Sequence, residues 1–303
     1  MSERRYRAYG LRITSDIALP ELAHWPDTPG EGPADVSIRQ AQVEAGDGGG
    51  RVQAGPLVWA ARGQLWLDVP GVARFAVSGG REIAVEPVAG VDPDSVRLFL
   101  LGSAFGALLI QRGMLVLHGN ALHIGEDCVI CVGASGAGKS TLAAALARRG
   151  LGLLADDVVP VDTAGLVRAG FPRIKLWKEA ADRMGIDTAP LARVRPGIEK
   201  FSYPVAPAVH ERPLRVRAVY DLSAAHVDGV SLAPVTGMQR FETFLAHSYR
   251  RRFIDSLGMK AQHLKLCGVL AGQVRLVKVT RPRRGFEIDG LADAILDDFQ
   301  RHR

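Results

Sequence analysis

Short runs in which polar and apolar residues alternate fill the chain from Tyr6 to about Val88, and turn residues separate them. Alternation with a period of two is typical of strands that bury one face. The pattern predicts a small, mostly antiparallel β-rich N-terminal domain over residues 1–92. We expect this domain to bind a substrate or a partner.

The pattern changes at Pro93, where apolar residues begin to recur with a helical period that continues to about Arg112. A proline in the first turn of a helix costs little, because its missing N–H has no helical partner there. The longest largely apolar run, Leu98 to Ile110, has 13 residues, whereas a bilayer span needs roughly 20. The sequence therefore predicts a buried helix and no membrane span.

Beyond this helix the chain alternates between strand and helix patterns, which predicts an α/β domain over residues 93–303. The predicted elements are the strands Met114–Leu117, Ala121–Ile124, Cys128–Val132 and Leu151–Ala155, and the helix Thr141–Arg149.

A glycine-rich segment joins the strand Cys128–Val132 to the helix that follows it. Gly133 to Ser140 reads GASGAGKS, which satisfies the P-loop (Walker A) pattern G-x-x-x-x-G-K-[ST]. Backbone N–H groups at the start of a helix bind phosphate, and glycine allows close approach. We expect Lys139 to reach the β- and γ-phosphates of ATP and the Ser140 hydroxyl to bind Mg²⁺. The predicted nucleotide-binding residues are Gly133, Ala134, Ser135, Gly136, Ala137, Gly138, Lys139, Ser140 and Thr141.

Two consecutive carboxylates, Asp156 and Asp157, end the next strand, 17 and 18 residues after Lys139. Neighbouring residues of an extended segment point to opposite sides, so the two are expected to differ in role. We predict that Asp156 faces the metal and that Asp157 accepts the proton of an attacking hydroxyl. The alternative is that either carboxylate only caps the following turn.

His118 follows the strand Met114–Leu117, which we expect to lie beside the P-loop strand. That position would bring its imidazole to the phosphate site, although a lone histidine is more often structural.

Two further basic groups have alternative interpretations. One of Arg250, Arg251 and Arg252 could clamp a phosphate, or all three could form a solvated helix end. Arg173 and Lys175 share one face of a predicted strand, so they line either an anion-binding groove or a solvent-exposed edge.

Charge and cysteine content narrow the class of protein. Lys and Arg number 38 against 32 Asp and Glu, which gives a net charge of +6. That mild excess suits an anionic ligand and does not indicate a nucleic-acid binder. Three cysteines give no disulfide framework, and the first residues contain no apolar signal region, so we expect a cytoplasmic protein. Cys128 and Cys131 lie on opposite faces of one strand and are predicted to be buried thiols.

Three segments together resemble the catalytic core of the HPr kinase/phosphorylase family. They are LHGNALHIG around His118, the P-loop GASGAGKST, and LLADDVV around Asp157. The likeness is greatest to the shorter HPr-kinase-like proteins, some of which phosphorylate lasso-peptide precursors. A weaker resemblance extends to FPRIKLW, which ends at Trp177, and to YGLRITSDIALPEL, which begins at Tyr9.

The resemblance implies a P-loop core related to phosphoenolpyruvate carboxykinase and ATP-dependent phosphorylation of a serine hydroxyl. It implies that His118 is the active-site histidine, Lys139 the P-loop lysine and Asp157 the proton acceptor. The family's downstream metal-binding glutamate is not apparent, and Glu179 and Asp182 are nearby candidates. The signature tied to phosphorolysis is not recognisable either, so only the kinase activity is expected.

The sequence thus predicts a Mg-ATP-dependent serine kinase that acts on a peptide or small protein, either HPr-like or a lasso-type precursor. It predicts no nucleic-acid or membrane partner and allows a homo-oligomer. The alternatives are a P-loop regulatory ATPase and a small-molecule kinase with the same core.

Overall fold

The computed structural model describes residues 3–25, 32–205, 212–285 and 288–302 and has a mixed α/β fold. The first part of the chain forms a nine-stranded sheet in the order β3-β1-β2-β4-β9-β8-β7-β6-β5. Its strands are β1 (Arg4–Ala8), β2 (Leu11–Ser15), β3 (Ala23–His24), β4 (Val36–Gln40), β5 (Val52–Gly55), β6 (Val58–Ala61), β7 (Gln64–Val69), β8 (Ala73–Ser78) and β9 (Glu82–Pro87). Its pairs are antiparallel except β2–β4 and β4–β9, which are parallel.

The predicted helix after Pro93 is confirmed, with one irregular turn. It consists of α1 (Pro93–Phe99), a π-helical turn at Leu100–Ala104, and α2 (Phe105–Gln111). Asp92 caps its start by accepting a hydrogen bond from the Ser95 backbone N–H at 2.8 Å. In the described part of the chain this is the one helical segment long and apolar enough to cross a membrane, and 67% of its most apolar window is buried inside the protein. That burial agrees with the prediction of a core helix.

A seven-stranded mixed sheet carries the second half of the protein, in the order β13-β11-β12-β18-β20-β19, with β15 paired to β18. Its strands are β11 (Gly119–Ile124), β12 (Asp127–Gly133), β13 (Leu153–Asp156), β15 (Leu166–Val167), β18 (Leu214–Ala225), β19 (Ser231–Pro234) and β20 (Arg275–Pro282). The residues RPRRG, from Arg281 to Gly285, have the composition of a loop, but Arg281 and Pro282 are the last residues of β20.

Two small sheets lie outside the seven-stranded one. β10 (Leu115–Leu117) pairs with β14 (Val159–Val161), and β16 (Arg173–Trp177) pairs with β17 (Lys200–Pro204). The expectation that the strand before His118 lies beside the P-loop strand is wrong. β11 continues from β10 in the same direction, and the two strands pair in one register with β13 and β14. Only β11 lies beside β12, because their pairing begins at Gly119 and β10 lies beyond the end of β12.

Six further helices lie among the described residues after β12. They are α3 (Lys139–Arg148), α4 (Lys178–Arg183), α5 (Met238–Ala246), α6 (Arg251–Ser256), α7 (Lys260–Gln273) and α8 (Ile288–Arg301). Buried side chains form two clusters on opposite faces of β12. Cys128 belongs to the cluster shared with the N-terminal sheet, and Cys131 belongs to the cluster under α3 and α8. Both thiols are fully buried, as predicted, and burial raises the pKa of each.

Candidate functional site

Strand directions bring the glycine-rich loop and the aspartate pair to one edge of the seven-stranded sheet. β11 is antiparallel to both β12 and β13, so β12 and β13 run in the same direction, one strand apart. Asn120 on β11 lies opposite Cys131 on one side and Asp156 on the other. The carboxyl ends of β12 and β13 therefore meet at the same edge, where open α/β sheets bind ligands. The parallel strands β18 and β20 end at this edge too.

The loop between β12 and α3 needs its glycines for steric reasons. Gly133 has φ of 147°, and a Cβ there would lie 2.5 Å from the carbonyl oxygen of Leu222. Gly138, directly before α3, is left-handed with φ of 101°. The ammonium of Lys139 donates to the carbonyl oxygens of Gly133 at 2.8 Å and Ala134 at 3.1 Å, and burial lowers its pKa. The loop thus presents backbone N–H groups and a lysine at a helix start, as an anion site requires.

A cavity of about 960 Å³ opens in front of this loop. Several residues predicted from the sequence line it, namely His118, Gly133, Ala134, Ser135, Gly136, Gly138, Lys139, Ser140, Thr141 and Asp157. Ala137 faces a second cavity on the other side of the loop. The cavity is large enough for a nucleotide-sized ligand.

The two aspartates occupy different environments, although Asp157 follows β13 and is not extended as the prediction assumed. Asp157 lines the cavity and pairs with the ammonium of Lys175 at 2.8 Å. Burial alone would raise the pKa of Asp157, but the charges of Lys175 and Lys200 outweigh it, so the pKa is lowered. Asp157 is therefore ionised at neutral pH. Its φ of 67° is left-handed, a conformation that costs a non-glycine residue about 1–3 kcal/mol.

Asp156 points into the protein and does not reach the cavity. It is 1% exposed, and its carboxylate accepts hydrogen bonds from the Asn120 side chain and, at 3.0 Å, from the backbone N–H of Lys175. Burial and the neighbouring charge of Asp157 raise the pKa of Asp156. This placement differs from the metal-facing role predicted for Asp156, because its carboxylate bonds to groups inside the protein instead of facing the phosphate site.

His118 reaches the cavity although its strand lies outside the main sheet. Its Nδ1 lies 3.2 Å from the carbonyl oxygen of Asp157, and its backbone N–H donates to the carbonyl of His247 at 2.8 Å. Burial and the charge of Lys139 lower the pKa of His118, which favours the neutral ring. Because a carbonyl oxygen only accepts, the proton of that neutral ring belongs on Nδ1. Nε2 is left as the acceptor.

Three cations of the cavity come from segments distant in sequence. Lys175 on β16 and Lys200 on β17 face it from the small sheet, and Arg250 faces it from the start of α6. Sequence analysis considered Lys175 and Arg250 as anion-binding residues or as solvent-exposed ones. It missed Lys200, because no motif surrounds that residue. Arg173 instead donates to the carbonyl of Pro20 at 3.2 Å. Arg251 and Arg252 do not line the cavity.

Arg281 supports the glycine-rich loop from β20. Its guanidinium donates to the carbonyl oxygens of Ala137 at 2.9 Å and Gly136 at 3.3 Å. The residue is 8% exposed. Sequence analysis placed it in a loop and therefore gave it no role. The pairing of β20 with β18, which is itself the neighbour of β12, is what brings it to the loop.

The candidate metal-binding residues on α4 are already paired with cations on the same helix. Glu179 lines the cavity but accepts a hydrogen bond from Arg183 at 2.6 Å. Asp182 pairs with Lys178 at 2.8 Å and lies outside the cavity lining. Within residues 3–25, 32–205, 212–285 and 288–302, no group of three or more His, Cys, Asp or Glu residues forms a potential metal site.

The N-terminal sheet contacts the aspartate turn through Tyr9. This residue lies between β1 and β2 and is 2% exposed. Its hydroxyl donates to the carbonyl of Val158 at 3.2 Å, and its backbone N–H donates to Ala169 at 2.7 Å. Burial, with Asp156 nearby, raises its pKa. The sheet therefore supports the segment that carries Asp157.

A second cavity, of about 1020 Å³, adjoins the first across the glycine-rich loop. Asp221 on β18 lies in it, 3.0 Å from Nε2 of His247 and 2.9 Å from the ammonium of Lys278. The hydrogen bonds and charges of His247 and Lys278 outweigh burial and lower the pKa of Asp221. The side chains of Ala233 and Val235 form an apolar part of the wall of this second cavity.

Comparison with known proteins adds little to this geometry. No family model and no curated protein matches the chain. One solved structure that matches is the Hpr(Ser) kinase/phosphatase from Coxiella burnetii, with 13% identity and a TM-score of 0.29, over 61% of this chain and 95% of that chain. Similarity at this level carries no argument about function, which must come from the site itself.

Proposed function

We propose that this protein is a kinase that transfers the γ-phosphate of Mg-ATP to a serine hydroxyl on a peptide or small protein. The observation that carries the proposal is the convergence of Lys139, Asp157 and His118 on one cavity in front of a strand–glycine loop–helix unit. Phosphoryl transfer depends mainly on positioning and charge stabilisation, and this set contains an anion site beside an ionised carboxylate.

In the proposed reaction the phosphates lie on the loop and at the start of α3. The ammonium of Lys139 now bonds to two carbonyl oxygens of its own loop. A short side-chain movement would exchange these partners for phosphate oxygens, which are stronger acceptors. Arg281 holds the loop carbonyls from behind, so the loop is formed before the nucleotide binds.

The residues present suit Mg²⁺ as it is usually bound in nucleotide sites. Mg²⁺ takes one or two protein oxygens and completes its octahedron with phosphates and water. The Ser140 hydroxyl lines the cavity at the start of α3 and would hold the ion together with the phosphates. Mg²⁺ would neutralise charge on the transferring group. Asp156 is too deeply hydrogen-bonded to contribute in this arrangement.

Asp157 is the proposed proton acceptor for the serine hydroxyl. Its pKa is lowered, so it is a weak base that takes the proton late, which suits a loose transition state. Lys175 fixes its position through the ion pair, and His118 fixes the turn through its bond to the Asp157 carbonyl.

The nucleoside belongs in the second cavity under this proposal. The aspartate side of the loop is where the γ-phosphate and the acceptor must meet, so the rest of ATP extends to the other side. There Ala233 and Val235 offer apolar contact for a base, and Asp221 lies at the carboxyl end of the strand beside β12. Both cavities share Ala134, Ser135 and Gly136 of the loop.

Intact-mass measurement with Mg-ATP tests the proposal. The acceptors are HPr and a lasso-type precursor peptide, the two candidates that the family resemblance suggests. We expect one acceptor to gain a single phosphate and Asp157→Asn to abolish that gain while nucleotide binding persists. Asp297→Asn, an exposed aspartate on α8, is the matched control and should behave as wild type.

Other outcomes identify the alternatives. ADP release with no mass gain on any polypeptide would favour the regulatory ATPase. Phosphate on a small hydroxyl compound alone would favour a small-molecule kinase. Equal loss of ATP affinity and transfer in Asp157→Asn would make Asp157 a metal ligand instead of the proton acceptor.

A further inference from the structure

We propose that the acceptor is an anionic polypeptide segment, in which carboxylates flank the serine and are bound by Lys200 and Arg250. This inference rests on the proposed kinase function and deepens it by naming the substrate class. It follows from the cations of the first cavity, which exceed what the nucleotide and the protein's own carboxylates require.

Four of the cavity's cations already have a defined partner or ligand. Lys175 pairs with Asp157 at 2.8 Å, and Arg183 pairs with Glu179 at 2.6 Å. Arg281 holds loop carbonyls, and Lys139 serves the phosphates in the proposed reaction. These groups leave little charge for an additional anion.

Lys200 and Arg250 differ from these four cations. Both line the cavity, and neither forms an ion pair with a carboxylate among the described residues. Their cationic groups lie over aromatic rings instead. The ammonium of Lys200 is 5.6 Å from the ring centroid of Trp177, and the guanidinium of Arg250 is 5.5 Å from that of Phe253. Such contacts orient a cation. Nε of Arg250 also donates to the hydroxyl of Tyr249 at 3.3 Å, which leaves its two terminal guanidinium nitrogens for a ligand.

The backbone holds Arg250 in an uncommon conformation at this place. Its φ of 42° and ψ of 58° are left-handed, which is unfavourable for arginine. Two hydrogen bonds maintain it, from the Tyr249 backbone N–H to Val116 at 2.8 Å and from Phe253 to Arg250 at 2.7 Å. Among the described residues, three non-glycine positions have positive φ, and two of them, Asp157 and Arg250, line this cavity. Strain of this kind concentrates at functional sites.

An exposed aromatic residue favours a polypeptide over a small metabolite. Trp177 is 57% exposed at the end of β16 and lines the cavity rim, beside Lys200 on the paired strand. Single exposed apolar residues are common on protein surfaces, but tryptophan is enriched at protein-binding sites and Trp177 stands among the cavity-lining residues. A bound segment would contact Trp177 with an apolar side chain and place its carboxylates against Lys200 and Arg250. Its serine then points inward to Asp157.

Three degenerate serine-peptide libraries test the inference, with the flanking positions fixed as Glu, Gln or Lys. We expect kcat/KM for the Glu library to exceed that of the Gln library by about twofold to thirtyfold, because two exposed ion pairs contribute about 0.2–1 kcal/mol each. The preference should weaken as salt is raised. Lys200→Glu should reverse the order of the Glu and Lys libraries. Lys265→Glu, an exposed lysine on α7 outside the cavity lining, is the matched control and should leave the order unchanged.

Intrinsic ATP hydrolysis, measured in parallel, separates two kinds of failure. If all libraries are phosphorylated equally and Lys200→Glu slows transfer and hydrolysis alike, the two cations act on the phosphoryl group. The inference is then overturned, while the kinase proposal stands. If no library gains phosphate although ATP is hydrolysed, the kinase proposal itself fails.

Discussion

The partly buried ion pair between Lys175 and Asp157 should make a double-mutant cycle non-additive. The two groups lie 2.8 Å apart, and their side chains are 19% and 25% exposed. Removing one partner of a buried pair costs roughly 3–5 kcal/mol, because the other charge is left without compensation. Lys200 also acts on Asp157, so we expect Lys175→Met to lower the free energy of unfolding by about 3 kcal/mol, the lower end of that range.

The same reasoning gives the expected stability of the Asp157→Asn variant and of the double variant. Asp157→Asn should cost about 2 kcal/mol, because Asp156 remains close to Lys175 and still compensates part of its charge. The double variant contains neither charge and should also cost about 2 kcal/mol, not the additive value of about 5 kcal/mol. The expected coupling free energy is therefore about 3 kcal/mol. Urea unfolding followed through the fluorescence of the four tryptophans measures all four proteins.

The coupling free energy between Lys175 and Asp157 should decrease at both low and high pH. The pKa of Asp157 is lowered by folding, so its contribution is present above the unfolded value and is lost as pH falls through the folded value. The pKa of Lys175 is raised, because Asp157 and Asp156 outweigh its burial. Its contribution is present below the unfolded value and is lost as pH rises through the folded one. Asp156, whose pKa is raised to about 7, changes its charge near neutral pH, so the coupling should be constant only from about pH 8 to about pH 9.

Two results would refute this reasoning. Additivity of the two single variants within about 0.5 kcal/mol would show that the pair does not interact. An unchanged acidic limb of kcat in Lys175→Met would show that Lys175 does not hold the pKa of Asp157 down. We expect that limb to move to higher pH, because a base with a raised pKa is protonated earlier.

Three further predictions test other parts of the site. Lys139→Ala should lower kcat by at least about 10²–10³ while circular dichroism stays unchanged, since the lysine serves phosphates and not core packing; a folded variant with full activity would contradict this. The ¹⁵N chemical shifts of the His118 ring at pH 7 should be those of a neutral imidazole protonated on Nδ1, because the pKa of His118 is lowered. Shifts typical of an imidazolium would contradict the lowered pKa. Ala233→Trp should fill the second cavity and weaken ATP binding without changing the affinity for inorganic tripolyphosphate; an equal loss for both ligands would place the nucleoside elsewhere.

The local parts of the site could be predicted from the sequence because they depend on short segments. The strand, glycine-rich loop and helix around Lys139 lie within one continuous stretch, so their spacing alone determines their geometry. The structure also shows the carboxylates of Asp156 and Asp157 in different environments, although Asp157 follows β13 in a left-handed conformation and not in the extended one that the prediction assumed. The helix after Pro93 and the buried state of Cys128 and Cys131 follow from apolar periodicity in the same way.

Strand pairing over long distances required the tertiary structure. The sequence placed the strand before His118 beside the P-loop strand, but β11 occupies that position because it follows directly and pairs over six residues. Asp156 was expected to face a metal, and only its bonds to Asn120 and the backbone of Lys175 show that it points inward. The direction of the Asp157 side chain depends on its left-handed φ, which aspartate tolerates but does not by itself determine.

The charge environment of the cavity also depends on tertiary structure. Lys200 and Arg250 come from segments separated by many residues from the glycine-rich loop, and β17 and α6 bring them to the same cavity. Sequence by itself determined the strand, the glycine-rich loop and the helix around Lys139, because backbone conformation there is set by near neighbours. Only the tertiary structure decided which cations surround the glycine-rich loop and Asp157. Those cations are brought together by strand pairing and burial, which depend on contacts between residues distant in the chain.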